Sequence, residues 1–143
     1  MKNKYINALS VALWDSDLIA TRISLFFGEL FWGVMLLWLG DTFSRPTYHV
    51  MSLVANEEIW GIIFLISAAT QISIVMIEDM HSKFARYFAC YNAMLWLFVV
   101  WSMLVSVYPP PAAIGGELAL ALGASWVWLR PYILAEGYKR AGF

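Results

Sequence analysis

From Tyr87 to Gly116 thirty consecutive residues carry no charge, and only Pro109, Pro110 and Pro111 interrupt them. Three further long apolar stretches accompany this one. A hydrocarbon core roughly 30 Å thick is crossed by about 20 helical residues, and a soluble domain of this length has no interior large enough to hide four such segments. The chain is therefore expected to be an all-α integral membrane protein. In hydrocarbon every unpaired backbone group costs several kcal/mol, which leaves helices or closed barrels, and segments of about twenty residues are too long for barrel strands.

Composition narrows the classes further. With 62% hydrophobic residues, 13% charged residues and a net charge of −1, little chain is left for a soluble domain. A nucleic-acid binder would need a concentrated basic surface, and a disordered chain would be poor in aromatics, so both are excluded. Cys90, the single cysteine, has no intramolecular disulfide partner and reads as packing.

The expected organisation is one membrane domain over 1–143. Residues 1–17 read as a short interfacial amphipathic helix, with Ile6, Leu9 and Leu13 on one side and Asn3, Asn7, Ser10 and Asp17 on the other. A cleaved signal peptide is the rival reading, but Asn7 and Ser10 break its apolar patch and Asp15 to Asp17 follow. Asp15 or Ser16 is placed to cap the next helix. Four spans follow, at 18–40, 59–77, 87–108 and 112–130, with a polar tail at 131–143. The prolines end the third span, since proline lacks the amide and restricts the residue before it.

Orientation follows from the cations. Lys2, Lys4, Arg22, Lys83, Arg86, Arg130, Lys139 and Arg140 fall on one side of a four-span arrangement and Arg45 alone on the other. The positive-inside rule then puts both termini in the cytoplasm and the protein in the cell (inner) membrane. Trp38, Trp60, Trp126, Trp128, Tyr108 and Tyr132 lie toward span ends, where amphipathic rings prefer the headgroup layer. His49 and His81 fall on opposite sides and cannot share a metal or haem, so neither metal nor cofactor is expected.

Polar groups inside the spans carry the remaining information, because an ionisable side chain at depth costs at least about 2.5 kcal/mol and usually faces protein or water. Counting about 1.5 Å per residue from the cytoplasmic boundaries, Glu29, Gln71 and Asn92 reach one level on three helices. On the fourth helix Gly123, beside Ala124 and Ser125, leaves space there. One reading has the three groups hydrogen-bonded to fix helix register; the other makes Glu29 a titrating group in a proton or cation path. Ser67 and Thr70 can extend a wetted stripe outward from Gln71. Arg22, one turn from the interface, is expected to snorkel, although it shares a helix face with Glu29. Glu117 lies near the outer boundary and can line a vestibule. Gly115, Ala119 and Gly123 form a small-xxx-small stripe that suits close helix packing. Glu117, Ala121, Ala124 and Trp128 form the other face of that helix.

No catalytic, nucleotide or metal motif is present, and an enzyme is not expected. A TVGYG-type filter, the cysteines of a disulfide-bond oxidase and the histidines of a di-haem cytochrome are all lacking. A glutamate in the first helix is also found in small multidrug exporters, but the rest of their pattern is missing. The favoured class is a self-assembling homo-oligomeric pore or ion-conducting channel, holin-like permeabilisation included. The alternative is a non-catalytic accessory or assembly subunit of a larger membrane complex, and the third class is a small proton-coupled transporter using Glu29. The expected partners are the lipid bilayer and a second membrane protein or further copies of the chain.

Overall fold

No proline and no glycine precede Gly28, so nothing in the first segment stops a helix once it starts. In the computed structural model the segment is one helix, α1, Lys2–Trp38. The interfacial helix at 1–17 and the span at 18–40 are therefore not separate elements. The helical backbone runs through Asp15 and Ser16, so no helix begins there. Residues 2–77, 82–109, 111–112 and 114–140 are described, with side chains from 16 to 133 of these. His81, Glu78 and Asp79 lie outside the described residues.

Gly40 and Asp41, both with positive φ (51° and 69°), turn the chain after α1. Two 3₁₀ turns, Thr42–Ser44 and Pro46–Tyr48, lead into a short helix α2, His49–Val54. Asn56 then caps α3, Glu57–Met76, by accepting a 2.9 Å bond from the Ile59 amide, and Glu57 and Glu58 in the first turn suit the helix dipole. Ser82 caps α4, Lys83–Ser106, in the same way through the Ala85 amide. The last helix, α5, spans Ile114–Arg140 with Pro131 inside it. The polar tail expected at 131–143 thus begins as continued helix. Proline removes one intrahelical bond without forbidding the turns beyond it, and no glycine follows until Gly137.

Among the described residues the structure is helical with no strand. Three segments are long and apolar enough to cross a membrane: Ser16–Trp38, Glu57–Met76 and Lys83–Ser106. The first two-thirds of α5 is less apolar than these, since Gly115, Gly116, Glu117 and Arg130 dilute its aliphatic residues.

Side-chain contacts fix the register. Asp17 meets Trp126, Arg22 meets Gln71 and Ala85, Trp32 meets Phe64 and Trp96, Thr42 meets Glu57, and Val50 meets Ser106. Helix α1 therefore runs parallel to α4 and antiparallel to α3 and α5. The closest packing joins α1 to α3, α4 to α5 and, less extensively, α1 to α5.

Glycine makes the α1/α3 crossing possible. A Cβ added at Gly33 would sit 2.7 Å from the Leu65 side chain and 3.1 Å from the Gly61 carbonyl oxygen, and one at Gly61 would sit 2.6 Å from Leu37. In lipid, where association rests on van der Waals contact more than on apolar burial, such close approach is what holds helices together. Against α5, Gly28 receives Leu120 at 2.7 Å from its hypothetical Cβ. Helix α4 contributes Ala85, Ala89 and Ala93, all buried, and α5 contributes buried Ala121 and Ala124.

The small-residue stripe expected at Gly115, Ala119 and Gly123 does not make this contact. Gly115 has open space around it, Ala119 is exposed, and Gly123 alone comes near a neighbour, Thr21. Helix α5 instead turns inward the face with Ala121, Ala124 and Val127, because aliphatic alanines can enter a tight seam that Trp126, Leu122 and Leu118 cannot.

Candidate functional site

Five buried polar side chains from three helices meet in the half of the bundle nearer the Asp17 end. Arg22 and Glu29 come from α1, two turns apart on one face, roughly 10 Å along the axis. Gln71 comes from α3, and Asn92 and Trp96, one turn apart, come from α4. Each is at most 1% exposed.

Arg22 does not snorkel. Its guanidinium points into the bundle, donating to Gln71 Oε1 at 2.9 Å and to the Ala85 carbonyl oxygen at 3.3 Å. The small side chains of Ala85 and Ala89 leave the room it occupies, and two protein acceptors replace the headgroup water it would otherwise seek. Asn92 Nδ2 donates to Glu29 Oε1. Around the same carboxylate lie Trp96 and Gln71, and Arg22 is within electrostatic range. Asn92 makes the direct contact, and Gln71 and Trp96 act on the carboxylate as nearby donors. Arg22 Nε, Gln71 Nε2, Trp96 Nε1, Glu29 Oε2 and Asn92 Oδ1 are buried with no protein partner.

Aromatic rings close the cluster on the other side. Trp32 packs on Phe64 at 5.6 Å between centroids and edge-on to Trp96 at 6.4 Å, and Phe64 lies 5.4 Å from Trp96. Trp60, expected at a membrane interface, is a core residue here: it stacks on Phe98 and donates its indole N–H to the Met51 carbonyl at 3.0 Å. Above these rings the 39–56 connection folds over the bundle end. Thr42 N donates to Glu57 Oε1, Val50 N donates to Ser106 Oγ, and Tyr48 meets Trp32 edge-on.

Of the residues singled out from sequence, Arg22, Glu29, Gln71 and Asn92 come together. Ser67 is buried near the cluster, donating to the Tyr91 hydroxyl at 3.5 Å. Thr70 turns back on its own helix, bonding the Ile66 carbonyl at 2.8 Å. Glu117 stands at the opposite end of the bundle, close enough to Tyr48 to act on its phenol. Its Oε2 is buried without a partner. Gly123 and Ser125 bring no polar group to the cluster, Ser125 bonding the Ala121 carbonyl.

Sequence reasoning passed over Trp96, although it lies four residues after Asn92 and hence on the same helix face. It also passed over Ala85, Ala89 and Ala93, which obey the same small-xxx-small spacing as the stripe on α5. No group of three or more metal-ligating side chains occurs among the described residues. No protein family, curated protein or solved structure matches the chain.

Proposed function

We propose that the chain is a multi-pass protein of the cell (inner) membrane, with both termini cytoplasmic, that passes protons through the centre of its own helical bundle with Glu29 as the group that binds and releases them. The observation that carries this reading is the cluster of Arg22, Glu29, Gln71, Asn92 and Trp96, buried at the meeting of three helices with five polar atoms unpartnered. A cluster serving only to fix register would pair its groups with one another, because an unpaired buried donor or acceptor costs about 1–3 kcal/mol. Groups left open suit something that comes and goes. A proton needs only the one carboxylate, whereas a metal cation such as calcium or magnesium takes about six or more oxygen ligands.

A pore assembled between copies would draw its lining from surface residues. Those of the spanning helices are apolar, Phe27, Phe31, Ile62, Ile66, Leu97 and Leu104 among them. That favours a path inside each protomer, with copies associating through lipid-facing surfaces. The aromatic layer and the folded-over connection close the far side, so transport needs the two ends to open in turn.

Purified protein in liposomes under a pH gradient tests the proposal. Wild type should dissipate the gradient, and Glu29→Gln, which keeps shape and the Asn92 contact, should slow dissipation at least about tenfold, equivalent to about 1.4 kcal/mol. Equal rates would end the reading. One observation favours a second reading, an accessory subunit of a larger membrane complex: Phe27, Phe31 and Trp38 on α1 form a strongly exposed aromatic face. That reading expects purification from native membrane to bring a second membrane protein at fixed stoichiometry.

A further inference from the structure

The five unpartnered atoms are complementary in kind. Three are donors, Arg22 Nε, Gln71 Nε2 and Trp96 Nε1, and two are acceptors, Glu29 Oε2 and Asn92 Oδ1. Four of them belong to one carboxylate and its neighbours: Asn92 bonds its other oxygen, Gln71 and Trp96 lie close enough to act on it as donors, and Arg22 acts on it by charge. Each of these side chains is held by its neighbours. Gln71 is held by Arg22 through Oε1, Arg22 is held in turn by the Ala85 carbonyl, and Trp96 is wedged between Trp32 and Phe64.

Water is the species that suits such a set. It both donates and accepts, and buried waters typically make about three hydrogen bonds to groups otherwise unsatisfied. An organic solute or hydrated metal ion would need these packed side chains to part, whereas a single water needs only about one probe sphere of space. We infer that Glu29, Gln71, Asn92 and Trp96 bind internal water, with the Trp96 and Gln71 N–H groups donating to it and Glu29 Oε2 and Asn92 Oδ1 accepting from it. This water site rests on the proposed role of Glu29 for its purpose, since the water would accept the proton that Glu29 releases. Its existence is tested separately.

The experiment is solid-state NMR of the full chain in lipid bilayers, with ¹⁵N-labelled tryptophan and ¹³C-labelled glutamate. The Trp96 indole N–H is assigned by its disappearance in Trp96→Phe. Magnetisation transfer from water to that N–H is expected in wild type and lost in Gln71→Leu, whose side chain fills the space with methyl groups. A Trp96 N–H that receives nothing from water and couples directly to the Glu29 carboxyl carbon would overturn the inference. If the water signal is present while Glu29→Gln leaves proton flux unchanged, the site stands and the transport reading falls; if flux is lost and no water signal is seen, the reverse holds.

Discussion

The two halves of the bundle solve the same problem in different ways. At the end covered by the 39–56 connection, most polar groups are paired, Trp60 with the Met51 carbonyl, Thr42 N with Glu57 and Val50 N with Ser106, and Glu117 Oε2 is the exception. The rest is ring against ring, from Tyr48 through Trp32 and Phe64 to Trp96 and from Trp60 to Phe98. In the other half, charged and amide side chains occupy the centre and a polar atom of each is left open. Satisfied donors and interlocked rings specify one arrangement; open donors and acceptors around a carboxylate leave something to bind. Trp96 belongs to both halves, its ring in the aromatic layer and its N–H toward Glu29.

The comparison is broken most directly at the charges. Arg22→Met or Glu29→Leu leaves the other buried charge without the opposite charge that acts on it and orphans buried partners, Gln71 Oε1 and the Ala85 carbonyl or Asn92 Nδ2, at about 1–3 kcal/mol. Unfolding followed in detergent should show losses of that order for each single variant. The double variant should recover much of it, because the desolvation penalty leaves with both charges. Additive losses would mean the two groups do not feel each other across the roughly 10 Å that separates their backbone positions.

Next come the helix crossings. Gly61→Leu forces side-chain atoms into Leu37 and the Gly33 backbone, and overpacking of this kind costs about 1–3 kcal/mol. Gly115→Leu meets nothing within 4 Å, so the isolated protomer should change by no more than about 0.5 kcal/mol. The pair also tests association between copies: a shift in oligomer size with Gly115→Leu and unchanged protomer stability would assign the exposed stripe of α5 to an interface.

The crossings show what was legible in the sequence and what was not. The limits of α3 and α4 are readable because lipid leaves the backbone few choices and the charges Glu57, Glu58, Lys83 and Arg86 bracket them, whereas α1 begins earlier and α5 ends later than the sequence pattern suggests. The common level of Glu29, Gln71 and Asn92 followed from counting rise per residue. Which helix face turns inward did not, because α5 offers two plausible faces of small residues and only the partner's shape selects between them. Gly33 and Gly61 pair across α1 and α3, a match between distant segments that no local pattern announces. Arg22 reads as an interfacial residue only if α1 begins near residue 18. A helix that continues to Lys2 removes that boundary, and the alanines of α4 supply the pocket.

Smaller effects belong to the paired half. Ser106→Ala removes the hydroxyl that accepts from Val50 N and should weaken attachment of the connection by about 1 kcal/mol, leaving proton flux unchanged. Faster amide exchange confined to Val50 and its neighbours would report it. Exchange that spreads into α4 would mean that the covering segment and the bundle open as one unit.

The smallest expected effect is a titration at the same end. Tyr48 has its phenol pKa raised above the usual value, first by burial and then by the negative charge of Glu117, while Arg45 opposes the shift. An unfolded tyrosine ionises near pH 10. Since the folded value is the higher one, the contribution of the neutral phenol to holding the connection is complete below about pH 10 and is lost as pH rises through the folded pKa. Ultraviolet titration of phenolate, taken as wild type minus Tyr48→Phe, should place this group above a free tyrosine. Glu117→Gln should bring it back toward the ordinary value and Arg45→Gln should push it further up. A Tyr48 titration indifferent to Glu117 would separate the connection from α5, and with it the claim that this end of the bundle is sealed by contacts from all sides.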